Sequence, residues 1–97
     1  MWPDRRVLDL FKTEFPIVLA PMAGAMDTDL AIAASQGGAL GSLPCAMISV
    51  EKAREQFNII RQRISAPLNM NFSCQKIVEA DPLQMAAWKL RLAPYYE

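Results

Sequence analysis

The chain alternates between short apolar runs and longer amphipathic stretches, a pattern that predicts three strand–helix units. The apolar run Ile17–Ala20 predicts the first strand, which ends at Pro21 because proline has no N–H to donate to a ladder. The second strand is predicted near Ala39–Leu43, and the third over Leu68–Ser73. The helices predicted to follow these strands cover Asp29–Gln36, Val50–Ile64 and a segment that begins at Asp81.

Local chemistry marks where these helices begin and end. Thr28 and Ser49 are the predicted N-caps of the first two helices, since their hydroxyls can accept an otherwise unpaired backbone N–H. Gly37-Gly38 supplies the stop of the first helix. Asp81 is the predicted cap of the third helix, with Pro82 in the first helical position, where proline is tolerated.

The third strand carries amides on one of its two faces. Leu68, Met70 and Phe72 point one way, while Asn69, Asn71 and Ser73 point the other. A strand buried on both faces of a parallel sheet is normally apolar throughout, and an unpaired buried amide costs about 1–3 kcal/mol. Asn69 and Asn71 are therefore predicted to meet a partner, a water or a ligand. An antiparallel strand with one wet face is the alternative.

Repeated strand–helix alternation predicts the α/β class, with parallel strands in a doubly wound sheet or a (β/α) barrel. A closed eight-unit barrel needs about 250 residues, whereas this chain has 97. Three units would leave two open sheet edges and an uncovered inner face. Residues 1–97 are therefore interpreted as the N-terminal portion of one barrel domain.

Charge and length exclude several kinds of partner. The net charge is zero and the basic residues are scattered, which argues against a nucleic-acid surface. No apolar run approaches the roughly 20 residues that a membrane span needs. The first residues lack the apolar core of a signal peptide, so we expect a cytoplasmic protein.

The catalytic and metal chemistry available to the chain is limited. It contains no histidine, which excludes Ser/His/Asp and Cys/His catalysis and, with two cysteines, makes a metal site unexpected. Cys45 and Cys74 are expected to be free thiols that both follow strands. Asp27 and Asp29 are interpreted as complements of a helix dipole rather than as a catalytic pair.

The glycine-rich stretch Gly37–Gly41 follows a helix and enters a strand. A phosphate-binding glycine loop has the opposite order, because it must present N–H groups at the start of a helix. This stretch is therefore interpreted as a helix stop followed by close packing.

Three segments together carry a family resemblance: Pro16–Gly24, Ala33–Gly41 and Pro67–Cys74. In this order and spacing they resemble the nitronate monooxygenases, formerly called 2-nitropropane dioxygenases. The resemblance covers nearly all of the chain but only the first part of a typical family member. It implies a (β/α)8 barrel with non-covalent FMN that oxidises alkyl nitronates or nitroalkanes with O2, giving a carbonyl compound and nitrite.

The same resemblance implies roles for particular residues. Ala20, Pro21 and Met22 would line the isoalloxazine ring, and Asn71 would hydrogen-bond the flavin. Ser73-Cys74-Gln75 departs from the Phe-Cys-His of many relatives, which removes an aromatic ring and an imidazole. The family's catalytic histidine and its phosphate-binding glycines have no counterpart in these residues, so no catalytic residue is assigned.

Two other interpretations remain open. The chain could be a non-enzymatic truncated product or one subunit of a split barrel, completed by a second chain. It could also belong to a flavin-dependent enoyl-thioester reductase, whose first strand has a similar character.

Overall fold

The computed structural model describes residues 2–96 and contains four α-helices and two β-strands in that range. In chain order they are α1 (Arg6–Phe11), α2 (Thr28–Gln36), β1 (Gly41–Pro44), α3 (Val50–Arg63), β2 (Leu68–Asn71) and α4 (Pro82–Leu92), followed by a 3-10 turn over Ala93–Tyr95. The first and last residues of the predicted domain lie outside the described range.

The two strands pair in parallel, with α3 as the connection between them. Gly41 lies opposite Leu68, and the register runs to Pro44 opposite Asn71. The backbone N–H of Cys45 extends the ladder by donating to the carbonyl of Asn71 at 2.8 Å. The parallel arrangement is confirmed, and the antiparallel alternative for the third predicted strand is wrong.

The first predicted strand, Ile17–Ala20, is wrong in extent. The segment forms a single parallel bridge between Val18 and Leu40, in which the N–H of Leu19 donates to the Leu40 carbonyl at 2.9 Å. Pro21 follows this segment and brings no N–H with which to prolong the ladder. The bridge nevertheless places the segment beside β1, so three parallel segments lie in sequence order.

The other two strands also differ from prediction at their ends. β1 begins after the predicted Ala39 and includes Pro44, whereas β2 stops at Asn71 rather than Ser73. Cys45 makes the last ladder bond to this strand, so Phe72 and Ser73 have no strand partner within residues 2–96.

Two of the three predicted helix caps are confirmed. The Ser49 hydroxyl accepts from the Lys52 N–H at 3.1 Å, and the Asp81 carboxylate accepts from the Leu83 N–H at 2.9 Å. The prediction that Thr28 caps α2 is wrong, because Thr28 is the first helical residue and Asp27 is the cap. Helix α1 was not predicted; Leu8 is its buried residue.

Helices α2 and α3 pack over one face of the sheet and enclose the core. Its buried members are Ala31, Ile32, Leu43, Cys45, Ala53, Ile60 and Ile64. Burying a leucine or isoleucine side chain of this kind stabilises the fold by about 1.5–3 kcal/mol. Ala53 and Ile60 of α3, with Ile64 just after it, recur at helical spacing and are buried, while Val50 at the start of the helix is 69% exposed.

The interpretation of Gly37–Gly41 as a helix stop with close packing is confirmed. Gly38 adopts φ +88°, a left-handed conformation that glycine takes without steric cost just after a helix. Gly41 faces α2 so closely that a Cβ there would lie 2.5 Å from the carbonyl oxygen of Ala31. Gly38 therefore allows the chain to turn after α2, and Gly41 allows β1 to pack closely against that helix.

Helix α4 and its preceding segment are exposed along their whole described length. The side chains of Leu83 and Leu90 are 82% and 79% exposed, and Arg91 stacks on the Trp88 ring at 5.8 Å. Within residues 2–96, no helix has the length and apolar character required to cross a membrane.

Candidate functional site

The site begins with the face of the sheet that points away from α2 and α3. Because side chains alternate along a strand, Leu43 and Met70 face the helical layer, and Ser42 and Asn69 lie on the opposite side. The Asn69 side-chain amide donates to the Ser42 hydroxyl at 2.9 Å. Ser42 is 0% exposed, so the prediction that Asn69 meets a polar partner is confirmed.

We call this surface, which carries Ser42, Asn69 and Asn71, the amide face. Asn71 lies at the carboxyl end of β2, where its main-chain carbonyl accepts from Cys45. Its side chain is exposed and has no hydrogen-bond partner among residues 2–96. An amide has two N–H donors and a carbonyl acceptor. The Asn71 side chain can therefore hydrogen-bond to a ligand at the carboxyl end of the sheet.

The predicted ring-lining residues reach the same end of the sheet. Val18 lies opposite Leu40, and Ala20, Pro21 and Met22 follow this bridge toward the carboxyl end of the sheet. Ala20 and Met22 are exposed, and Pro21 is half-buried. β1 lies between this segment and β2. The segment is therefore two strand spacings, each of about 4.8 Å, from the strand that carries Asn71.

A tight turn follows these residues and leads into α2. The Ala25 N–H donates to the Met22 carbonyl at 3.1 Å, and Gly24 takes φ +77°. Met26 then packs against the core. Asp27 closes the turn: its Oδ1 accepts from the Thr28 N–H at 2.6 Å.

The same Asp27 oxygen also accepts from the side-chain amide of Gln56 on α3, at 3.0 Å. From the sequence, Asp27 is interpreted as a complement of the helix dipole, and no motif in the sequence indicates Gln56. Asp27 and Thr28 are both suitable caps in the sequence, and the Gln56 partner lies on a different element, so no local pattern indicates this bond.

The cysteines differ in environment although both follow strands. Cys45 is buried, and burial raises the pKa of its thiol, which favours the neutral form at physiological pH. Cys74 is exposed, and both are free thiols as predicted. Among residues 2–96, no group of three or more His, Cys, Asp or Glu side chains could hold a metal ion.

A separate apolar groove lies between α3 and β2. Its lining residues are Val50, Ala53, Arg54, Phe57, Met70 and Phe72. Met70 belongs to the face that packs on the helical layer, so this groove does not include the predicted site residues.

Parallel strands in sequence order, helices over one face, and polar groups at the carboxyl ends define the first three βα units of a (β/α)8 barrel. The structure is similar to FabK from Thermotoga maritima, with a TM-score of 0.65 and 28% identity over 93% of this chain and 27% of that one. It is also similar to nitroalkane oxidase from Streptomyces ansochromogenes, with a TM-score of 0.67 and 25% identity over 91% of this chain and 24% of that one.

Residues 4–96 match the family model of nitronate monooxygenase, and the chain belongs to that family. It is 34% identical over 93 residues to the nitronate monooxygenase of Paraburkholderia phytofirmans, covering 96% of this chain and 25% of the relative. It is also 34% identical over 91 residues to that of Pseudomonas aeruginosa, covering 94% and 26%. The chain thus spans about a quarter of the length of these relatives.

Proposed function

We propose that this chain supplies the first three βα units of an FMN-dependent nitronate monooxygenase, which oxidises alkyl nitronates with O2 to a carbonyl compound and nitrite. The observation that carries the proposal is the amide face. There the Asn69 amide donates to Ser42, while the Asn71 side chain is exposed at the carboxyl end of β2 with no hydrogen-bond partner among residues 2–96. Ligands of (β/α) barrels bind at this end of the strands.

The residues present fit a flavin. Ala20, Pro21 and Met22 carry no charge and no bulky polar group, so a flat ring can lie against them. The Asn71 amide can donate to or accept from the heteroatoms at the edge of such a ring. When bound, the flavin supplies the electron-transfer chemistry between the nitronate and O2.

Removal of a substrate proton and binding of the flavin phosphate are proposed to be carried out by the remaining units of the barrel. The chain has no histidine, so it offers no imidazole to remove the α-proton of a neutral nitroalkane. A nitronate is already deprotonated and does not need that step. Gly37 and Gly41 pack against α2, so they do not cradle the flavin phosphate.

A hybrid enzyme tests the proposal: residues 1–97 of this chain replace the matching segment of the Pseudomonas aeruginosa nitronate monooxygenase. We expect the hybrid to bind FMN stoichiometrically and to release nitrite from an alkyl nitronate. Residues 1–97 alone should bind FMN no more tightly than in the high micromolar range, since they lack a phosphate-binding loop. Flavin fluorescence titration and a nitrite assay measure the two quantities.

The controls distinguish the alternatives. The Pseudomonas aeruginosa remainder without this chain should release no nitrite. A hybrid that is folded by circular dichroism but oxidises NAD(P)H with an enoyl thioester, and releases no nitrite, would contradict the proposal in favour of the reductase. If residues 1–97 alone bound one FMN per chain, the assignment of phosphate binding to the other units of the barrel would be contradicted.

A further inference from the structure

The Asp27 carboxylate joins two strand–helix units through one oxygen atom. Oδ1 accepts from the Thr28 N–H at 2.6 Å, within its own turn, and from the Gln56 side chain at 3.0 Å, across to α3. Hydrogen bonds to a carboxylate are stronger than those between neutral groups. The capping bond satisfies one of the backbone N–H groups at the start of α2. The bond to Gln56 adds no partner for that helix start and instead links the turn to α3.

This second bond acts beside hydrogen bonds within the turn, in which the Ala25 N–H donates to the Met22 carbonyl and the Met22 N–H donates to Met26 Sδ at 3.3 Å. Before the turn, the segment is fixed by the Val18–Leu40 bridge. After it, Met26 packs against the core and Asp27 bonds to Gln56. The residues between these two anchors, 20–25, are half-buried or exposed, so the anchors and the hydrogen bonds within the turn together determine where they lie.

We propose that Gln56 is a positioning residue, which fixes the turn carrying Ala20, Pro21 and Met22 against the flavin ring. The inference rests on the proposed function for the identity of the ligand. Removal of the Gln56 amide leaves the Asp27 cap and the core intact. The fold therefore persists, while the turn loses its hydrogen bond to α3 and keeps the packing of Met26 against the core.

The test compares Gln56→Ala with Gln62→Ala in the hybrid enzyme. Gln62 is an exposed glutamine on the same helix, so it matches the substitution but lacks the bond to Asp27. We expect Gln56→Ala to raise the FMN dissociation constant by up to about 10-fold, since the effect on the flavin cannot exceed the free energy of the one hydrogen bond lost. It should also shift the visible flavin absorption band, whereas Gln62→Ala should change neither. Gln56→Lys should restore the original band, because its ammonium can again donate to Asp27.

Amide hydrogen exchange of the flavin-free hybrid provides a second readout. Peptides covering residues 20–26 should exchange faster in Gln56→Ala than in Gln62→Ala. Unchanged exchange in this turn would overturn the inference whether or not the hybrid binds FMN. A hybrid that binds no FMN but shows the faster exchange would sustain the positioning of the turn and contradict the proposed function instead. If Gln56→Ala exchanged faster but kept the original flavin absorption band and FMN dissociation constant, the proposed effect of Gln56 on the flavin would be wrong.

Discussion

Substitution of Gly41 by alanine is expected to lower the free energy of unfolding of the hybrid enzyme by about 1–3 kcal/mol, the usual cost of overpacking. A Cβ at this position would lie 2.5 Å from the carbonyl oxygen of Ala31 and 2.4 Å from the hydroxyl oxygen of Ser35. The serine side chain can rotate, but the Ala31 carbonyl belongs to the backbone of α2. The strand and helix must therefore separate to accept the methyl group.

Urea denaturation followed by far-UV circular dichroism measures this effect. Gly37→Ala is the matched control, since its φ is −79° and its Cβ would lie 3.3 Å from the Ala33 carbonyl oxygen. We expect the control to change stability by less than about 1 kcal/mol. Equal unfolding midpoints for the two variants would show that α2 and β1 are not in close contact at Gly41.

Asn71→Ala is expected to raise the FMN dissociation constant of the hybrid about 3- to 10-fold, because one hydrogen bond contributes roughly 0.5–1.5 kcal/mol. Asn69, in contrast, already bonds to Ser42, so Asn71 is the amide left for a ligand. The reduction in affinity should appear in fluorescence titrations and as lower flavin occupancy after gel filtration.

Glu55→Ala is the control for this prediction. Glu55 is exposed on α3, where it forms an ion pair with Lys52 at 3.1 Å. Exposed ion pairs contribute about 0–1 kcal/mol, so neither stability nor flavin binding should change greatly. Equal flavin occupancy in the Asn71 and Glu55 variants would count against a flavin on the amide face.

Features governed by neighbouring residues could be predicted from the sequence. Ser49 and Asp81 were recognised as caps because the bonds that define a cap reach only two or three residues along the chain. The alternation in β2 likewise indicated that Asn69 needs a partner. Its identity, Ser42, depends on the register between β1 and β2, which no local pattern specifies.

Features governed by distant residues could not be predicted. Both Asp27 and Thr28 are suitable caps for α2, and Asp27 also bonds to Gln56, far along the chain. The first strand was overestimated because its length depends on ladder partners rather than on its own apolar run. Helix α1, with six residues, is too short to show a helical period.

A crystal structure of the hybrid enzyme with FMN would show whether the flavin binds on the amide face. We expect the Asn71 side-chain amide to lie about 2.7–3.2 Å from a flavin ring atom, with Ala20 and Met22 against the ring. A flavin bound in the groove between α3 and β2, with the Asn71 amide in solvent, would contradict it.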